Sequence, residues 1–251
     1  MFTFDSKVRY SEISKKGTLS IKALVDYFQD CSTLQSESLG AGLKFLKMKE
    51  RAWLLSSWQI VVNFLPDFND DITIGTDAYK FDGLFGYRNF AMYDRSKNNS
   101  MAACANSYWF LYDTANKMPA KITDEFGSIY PAGIPLKMNY APRKISKIDL
   151  SAARELEPFT VNAAMIDTNS HMNNEQYINM ASTYVPDNFK IHQIRADYKK
   201  SALEHDVIVP FIIHEKTGSA VNCPEYQDLI RVAMCGSESS HAPYAYVEFY
   251  M

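Results

Sequence analysis

The stretch VRYSEISKKGTLSIKALVDYF, Val8 to Phe28, recurs in the chain as VNAAMIDTNSHMNNEQYINMA, Val161 to Ala181. The two stretches align without gaps at an offset of 153 residues (161 − 8 = 153), and their apolar positions coincide although few residues are identical. An internal repeat of this kind indicates that one structural unit is written twice. Each copy is predicted to form a strand, a polar turn and an amphipathic helix.

The first predicted helix is the clearer one, because its apolar residues follow the three- and four-residue spacing of a single stripe. The stripe consists of Ile21, Leu24, Val25, Phe28, Cys31 and Leu34. Ser20 is the expected N-cap, and Gly40 is the expected stop. In the second copy, the apolar face is shorter and consists of Tyr177, Ile178 and Ala181, and Pro186 is expected to end the helix.

Segments rich in β-branched and aromatic residues follow each helix and are typical of strands. After the first helix they are AWLLSSWQIVVNF, DITIGTDAYKF, YRNFAMYDR and AACANSYWFLYD; after the second they are IHQIRADYKK, DVIVPFIIHEK, LIRVAMCGS and YAYVEFYM. Residues 94–99 and 113–116 are predicted hairpin connections. A helix with one apolar stripe must bury it against its sheet, so we predict a tandem α+β fold whose halves could pair edge to edge with pseudo-twofold symmetry.

The length of 251 residues suits two small domains. We expect an N-terminal domain over residues 1–130, a proline-containing linker over 131–150 and a C-terminal domain over 151–251. A net charge of −3 gives no nucleic-acid signature, and no apolar run is long enough to span a bilayer. Without a recognisable leader segment, a cytoplasmic protein is expected.

The cysteines and histidines are scattered, which predicts reduced thiols and neither a metal site nor a cofactor. The cysteines are Cys31, Cys104, Cys223 and Cys235. None of them lies in a CxxC pair, and no two histidines have the spacing of metal ligands on a helix.

The stretch DTNSHMNNEQY, Asp167 to Tyr177, groups an acid, amides and a histidine where the second helix begins. Taken singly, Asp167 and Asn169 would be turn formers or caps, and His171 an ordinary polar surface residue. Their combination favours a catalytic site. For Asn173 and Asn174, capping is the preferred role and site support the second.

The first copy has the scaffold of this stretch without its reactive groups. Ser14, Lys16 and Thr18 occupy the positions equivalent to Asp167, Asn169 and His171. We therefore predict one active site per chain, in the second half.

DTNSHMNNEQY resembles the D-x-N-x-H-x-N-N-x-x-Y signature of acyl-acyl-carrier-protein (acyl-ACP) thioesterases, double hot dog enzymes that release fatty acids from ACP. VRYSEISKKGTLSIKALVDYFQD resembles the opening strand, turn and helix of that family, and RNFAMYDRSKNNSMAACANSYWFLYD resembles its R-x-F-x-I-x-D and S-x-W-x-x-x-D hairpin. The resemblance covers nearly the whole chain and implies the double hot dog fold, with each half a sheet wrapped around a helix. Because no transit segment is recognisable, the chain is expected to resemble bacterial rather than plastid members of the family.

The segment YKKSALEHD resembles the Y-x-x-E-x-x-x-G-D strand of hot dog thioesterases but departs from it. Ser201 stands where the family has Glu, Ala202 where plant members often have Cys, and His205 where the family has Gly. Glu204 is three residues out of register, and in a strand it would lie on the face opposite Ser201. We therefore expect Ser201 to position water rather than Glu204 to replace the missing carboxylate.

The resemblance implies roles for the grouped residues. Asp167 corresponds to an acid that holds the site together or acts as base, Asn169 to an amide that orients the carbonyl or water, and His171 to the general acid/base. Asn174 and Ser201 are expected to support them. Thioester hydrolysis needs an activated nucleophile and donors for the developing negative charge, and a helix N-terminus supplies N–H groups.

The resemblance also implies an acyl pocket in the first half and acyl-ACP, with its phosphopantetheine-linked chain, as the partner. Candidate pocket residues are Trp53, Leu54, Trp58 and Phe85. Residues of these types are equally typical of an ordinary hydrophobic core. Candidate docking residues are Arg143, Lys144, Lys147, Lys199 and Lys200, each of which alone is typical of a solvated charge. No nucleic acid and no membrane span are expected, and the chain is expected to be a monomer or homodimer.

Two other functions fit the same sequence. One is an acyl-CoA thioesterase of similar fold. The other is a non-catalytic protein that binds an acyl chain or acyl-ACP. The complete set of Asp167, Asn169 and His171 favours an enzyme, whereas Ser201 favours the binding protein.

Overall fold

The computed structural model describes residues 1–216 and 226–251. They form two compact units, Met1–Tyr140 and Ala141–Met251, so the division falls within the segment expected to be the linker. No helix in the described part of the chain is long and apolar enough to cross a membrane.

The first unit is an antiparallel sheet with one long helix packed on it. Its strands and helices are β1 (Phe2–Lys7), α1 (Ile21–Ser38), α2 (Leu43–Met48), β2 (Arg51–Val62), β3 (Asp71–Asp82), β4 (Phe85–Asp94), β5 (Ser100–Asp113), β6 (Met118–Ala120) and α3 (Asp124–Gly127). The strand order is β1-β3-β4-β5-β2, with β6 paired to β5. Both predicted hairpin connections are confirmed, because residues 94–99 join β4 to β5 and residues 113–116 join β5 to β6.

The second unit has the same plan. Its elements are β7 (Arg154–Glu155), β8 (Phe159–Thr160), α4 (Asn174–Ser182), β9 (Gln193–Tyr198), β10 (Val207–Lys216), β11 (Asp228–Gly236) and β12 (Pro243–Tyr250). The strand order is β9-β12-β11-β10-β7, with β8 paired to β10. Each half is therefore an antiparallel sheet wrapped around a helix, and the predicted tandem α+β hot dog fold is confirmed.

The repeat is present in the backbone at the predicted offset. A 3-10 turn at Tyr10–Glu12 corresponds to one at Ala163–Met165, and the isolated bridge Ile13–Leu19 corresponds to Ile166–Met172. The prediction of a strand at the head of each copy is wrong. The strands β1 and β8 end before Val8 and Val161, because the chain then turns through the 3-10 segment towards its helix.

Helix α1 begins and ends as its sequence predicts, but its core-facing stripe shifts at the C-terminal end. The Ser20 hydroxyl accepts a hydrogen bond from the N–H of Ala23 at 3.1 Å, and Gly40 takes the left-handed conformation beyond the last turn (φ +73°). Leu34, a predicted member of the stripe, is 45% exposed, and Gln35 is buried instead. Positions 34 and 35 both lie near the face of Cys31, and the core takes Gln35 because its Oε1 accepts a hydrogen bond from the buried Arg88 of β4.

The expected linker lies along one face of the sheet in each unit. In the first unit, the N–H of Leu136 and the hydroxyl of Tyr140 donate to Oδ1 of Asn89 at 2.9 and 3.0 Å. In the second, the N–H of Ile145 donates to Oδ2 of Asp197 at 2.8 Å, and Nη2 of Arg195 donates to the carbonyl of Pro142 at 2.6 Å. These buried polar side chains need partners, and the irregular segment supplies them.

Candidate functional site

Asp167 organises the turn that precedes α4. Its Oδ1 accepts hydrogen bonds from the N–H of Asn169 at 2.8 Å and of His171 at 3.2 Å, and its own N–H donates to the carbonyl of His171 at 2.8 Å. Ser170 takes the left-handed conformation at φ +63° and completes the reversal. The short spacing in sequence thus brings Asp167, Asn169 and His171 together in one turn.

The side chains of Asn169 and His171 remain largely free to meet a ligand. Asn169 is exposed, and its Nδ2 donates to Oδ2 of Asp167 at 3.4 Å, a long contact. The half-buried imidazole of His171 makes no hydrogen bond with residues 1–216 or 226–251. Both of its ring nitrogens are therefore available for proton transfer.

The start of α4 is capped by Asn173 as predicted, but the capping role predicted for Asn174 is wrong, because Asn174 lies inside the helix. Oδ1 of Asn173 accepts from the N–H of Glu175 at 3.4 Å, and the N–H of Asn173 donates to the carbonyl of Met165 at 2.8 Å. Asn174 is the first helical residue, and its carbonyl accepts from the Tyr198 hydroxyl at 2.9 Å. Its backbone, not its side chain, makes this contact.

The helix start offers fewer free donors than an isolated helix end. Among the described residues, every N–H from position 169 to 175 has an acceptor except that of Asn174. The turn and the cap use the others. The sequence predicts that backbone N–H groups meet the developing negative charge, but most of them are already bonded, so side-chain donors must supply more of this stabilisation.

The segment Lys199–Asp206 is a loop, so the prediction that YKKSALEHD is a strand is wrong beyond Tyr198. The carbonyl of Ala202 accepts from the N–H of Met172 at 2.8 Å, which places the loop against the turn that carries His171. Ser201 and Glu204 are both exposed, and the argument that they lie on opposite faces of a strand does not apply.

His205 adopts the backbone conformation that explains the family glycine at its position. Its φ is +74°, and its N–H donates to the carbonyl of Val161 at 2.8 Å while the N–H of Val161 donates to the carbonyl of Asp206 at 2.9 Å. Asn69 of the first unit has φ +71° in the equivalent loop and bonds Val8 in the same way. The reversal needed for this pairing requires the left-handed conformation, which glycine adopts most readily.

The hydroxyl of Tyr177 is a positioning group that the sequence pattern does not predict. Tyr177 is buried, and its oxygen accepts from the N–H of Ala202 at 3.0 Å, so it joins α4 to the loop that follows β9. Burial raises the pKa of Tyr177, and the hydroxyl stays neutral. The apolar spacing of α4 predicts Tyr177 on the apolar face of the helix, and only its position at the end of the motif indicates a polar role.

The equivalent turn of the first unit has the same backbone with inert side chains. The N–H of Ser14 donates to the carbonyl of Thr18 at 2.8 Å, Oγ of Ser14 accepts from the N–H of Lys16 at 3.2 Å, and Gly17 has φ +80° in place of Ser170. It carries neither a carboxylate nor an imidazole. The two turns form a matched pair within one chain.

The described cysteines are unsuited to nucleophilic catalysis. Cys31, Cys104 and Cys235 are free and buried, and burial raises the pKa of Cys31 to about 12 and of Cys235 to about 11, which disfavours the thiolate. Cys223 lies outside the described residues. Among those that are described, no three His, Cys, Asp or Glu side chains gather into a set of metal ligands.

The pocket candidates in the first unit differ in burial. Trp58 is 2% exposed and packs on Phe28 and Phe90 with ring centroids 6.2 and 4.9 Å apart, so it is a core residue. Trp53 is half-buried, with its ring 6.2 Å from that of Phe81. Leu54 and Phe85 are also half-buried.

The basic docking candidates differ in their exposure and in their existing contacts. Lys199 forms an ion pair with the buried Asp197, so it already has a partner within its unit. Lys200 is exposed and lies 5.1 Å above the ring of Tyr244. Lys144 and Lys147 are exposed, and Arg143 is half-buried.

Comparisons with known proteins give one consistent family. Residues 1–130 match the family model of the acyl-ACP thioesterase N-terminal domain, and residues 148–239 match that of the C-terminal domain. The chain is 24% identical to a chloroplastic palmitoyl-acyl carrier protein thioesterase of Gossypium hirsutum, over 92% of the chain and 60% of that protein. It is 20% identical to the chloroplastic oleoyl-acyl carrier protein thioesterase 1 of Arabidopsis thaliana, over 80% and 60%. The chain thus spans about 60% of the length of these curated relatives.

Solved structures support the fold. An acyl-ACP thioesterase from Bacteroides thetaiotaomicron VPI-5482 superposes with a TM-score of 0.81 at 19% identity, over 99% of this chain and 96% of the other. A 12:0-ACP thioesterase from Umbellularia californica superposes with a TM-score of 0.83 at 17% identity, over 100% and 98%.

Proposed function

Because the chain belongs to the acyl-ACP thioesterase family, we propose that it hydrolyses the thioester of a fatty acyl-ACP and releases the free fatty acid. The observation that carries the proposal is the turn before α4, which gathers Asp167, Asn169 and His171 in the second unit only. We further propose that the protein acts in the cytoplasm, as a monomer or homodimer.

His171 is the general acid and base of the proposed reaction. Histidine is the side chain that most often transfers protons in catalysis, and the ring of His171 has no competing partner among the described residues. It takes a proton from the attacking water and returns it to the sulfur of the leaving phosphopantetheine. The carbon–sulfur bond breaks as the new carbon–oxygen bond is completed.

Asp167 holds the turn together in this proposal. Its Oδ1 is already engaged by two backbone N–H groups, which supports a positioning role over that of a base. The bonds fix the backbone of Asn169 and His171, and so limit where their side chains can reach.

Asn169 meets the charge that develops on the thioester oxygen. One N–H of its amide is directed at Asp167, which leaves the second for the substrate. The free N–H of Asn174 at the start of α4 is the available main-chain donor, assisted by the helix dipole. Asn174 supports the site through this group, and Ser201 through a hydroxyl that can hold water.

A second function, non-catalytic binding of an acyl chain or acyl-ACP, is favoured by one observation. The loop Lys199–Asp206 carries Ser201 where hot dog thioesterases carry a carboxylate. An acyl-CoA thioesterase is the rival within enzymes. A panel of acyl-ACP and acyl-CoA substrates of graded chain length separates the three. An acyl-ACP thioesterase turns over acyl-ACP, and an acyl-CoA thioesterase hydrolyses acyl-CoA faster than acyl-ACP. A non-catalytic binding protein hydrolyses neither substrate.

A further inference from the structure

Two tyrosines join the start of α4 to the end of β9 and the loop that follows it. The hydroxyl of Tyr198, the last residue of β9, donates to the carbonyl of Asn174 at 2.9 Å, and the hydroxyl of Tyr177 accepts from the N–H of Ala202 at 3.0 Å. The two rings pack edge to face, with their centroids 5.7 Å apart. Burial of the Tyr198 hydroxyl raises its pKa, so the group keeps its proton and remains a donor.

The first unit has the same junction in its backbone. The N–H of Leu19 donates to the carbonyl of Pro66 at 2.8 Å, just as the N–H of Met172 donates to the carbonyl of Ala202 at 2.8 Å. The two loops are therefore related by an offset of 136 residues (202 − 66 = 136), which also relates their left-handed residues.

At both tyrosine positions the first unit carries an aliphatic residue. Leu24 is equivalent to Tyr177 at the offset of 153, and Val62, the last residue of β2, is equivalent to Tyr198 at the offset of 136. Leu24 and Val62 are buried, with exposed fractions of 0% and 3%. The junction therefore forms without either hydroxyl in the first unit, and both hydroxyls occur in the unit whose turn carries His171.

Asn174 connects this junction to the chemistry of the site. Its N–H is the main-chain donor assigned to the developing negative charge, and its carbonyl, on the other side of the same Cα, accepts from Tyr198. A bond so close to the donor limits how far the donor can move. Such limits matter, because misplacing a reacting group by about 1 Å can lower a rate about 100-fold.

We propose that Tyr198 is a positioning residue for thioester hydrolysis. Its hydroxyl holds the start of α4, and with it the N–H of Asn174, in place against the end of β9, while Tyr177 holds the loop that carries Ser201. The inference rests on the proposed function. Tyr198 transfers no proton in the reaction, because its hydroxyl hydrogen is directed at a main-chain carbonyl.

The test compares kcat and KM for palmitoyl-ACP in the wild type, Tyr198→Phe and Tyr79→Phe. Tyr198→Phe keeps the ring and removes only the hydroxyl. We expect kcat to fall by about tenfold or more and KM to change by less than about twofold, because the substrate keeps its binding contacts. Tyr79→Phe is the matched control, because it removes a hydroxyl that donates to Oδ1 of Asn106 at 2.9 Å in the first unit. It should keep the wild-type kcat.

Amide hydrogen exchange gives a readout that does not depend on hydrolysis. The N–H groups of Met172 and Ala202 both bond across the junction. In Tyr198→Phe they should exchange roughly 2- to 10-fold faster, the factor that corresponds to the loss of one hydrogen bond. In Tyr79→Phe they should exchange at the wild-type rate.

The wild-type measurement separates failure of the proposed function from failure of the positioning role. A wild-type chain that releases no palmitate overturns both. If the wild type is active, the positioning role alone is overturned by a Tyr198→Phe variant with the kcat of Tyr79→Phe, or by unchanged exchange at Met172 and Ala202. Loss of the fold in Tyr198→Phe also overturns it, because the hydroxyl would then serve the fold and not the reaction.

Discussion

Replacing His171 by Ala should abolish most turnover while leaving the fold intact. The imidazole makes no hydrogen bond with the described residues, and the bonds of the turn run through backbone atoms of residue 171, which alanine keeps. Loss of a general acid/base group lowers rates by about 100- to 10,000-fold. That range corresponds to about 3–5 kcal/mol in the activation free energy.

The stability change should be much smaller than the catalytic change. The site is half-buried and no buried polar group loses a partner, so we expect less than about 1 kcal/mol, or a Tm shift of no more than about 2–4 °C for a chain of this size. The assay follows release of the ACP thiol under single-turnover conditions, with the Tm measured on the same preparation.

Thr18→Ala is the matched control, because Thr18 holds the equivalent place in the first unit and closes the equivalent turn through its carbonyl. It should hydrolyse acyl-ACP at close to the wild-type rate. A His171→Ala variant that turns over normally with an unchanged Tm would refute the assignment. So would a Thr18→Ala variant as impaired as His171→Ala.

Three further outcomes are expected. Asp167→Ala should lose activity together with about 0.5–1.5 kcal/mol of stability by urea unfolding, because two N–H groups of the turn lose their acceptor. Asp167→Asn keeps an acceptor and should be more stable than Asp167→Ala; equal stability of the two variants would contradict the holding role. Added salt should raise KM for acyl-ACP more than for acyl-CoA, since exposed charges are screened beyond about 8 Å at physiological ionic strength, and an equal response would argue against electrostatic docking. Ser201→Ala should lower the hydrolysis rate by a modest factor and Glu204→Gln should lower it little, because both side chains are exposed on a loop. Loss of hydrolysis in a folded Glu204→Gln variant would show that Glu204 takes the role of the missing carboxylate.

The parts of the fold that local sequence dictates could be predicted. Ser20 caps α1 because its hydroxyl reaches a donor three residues away, and the turn around Asp167 closes on groups two and four residues away. The repeat was readable for the same reason. Its apolar positions and turn residues recur at a constant offset.

The parts that depend on distant partners could not be predicted. Gln35 is buried in place of Leu34 and bonds Arg88, a residue 53 positions away. The loop after Tyr198 replaces the expected strand because its bonds go to Val161 and Met172. A pattern read over nine residues contains no information about those partners.

The most direct test of acyl-ACP hydrolysis is a multiple-turnover measurement with the purified wild-type chain and palmitoyl-ACP in large excess. Free palmitate and ACP thiol are quantified together by mass spectrometry. If the chain is an acyl-ACP hydrolase, both products accumulate in equal amounts to many equivalents per chain, and His171→Ala yields neither at a comparable rate. Saturable binding of palmitoyl-ACP by the folded wild-type chain, with no palmitate released, would exclude hydrolysis and assign the chain a binding role.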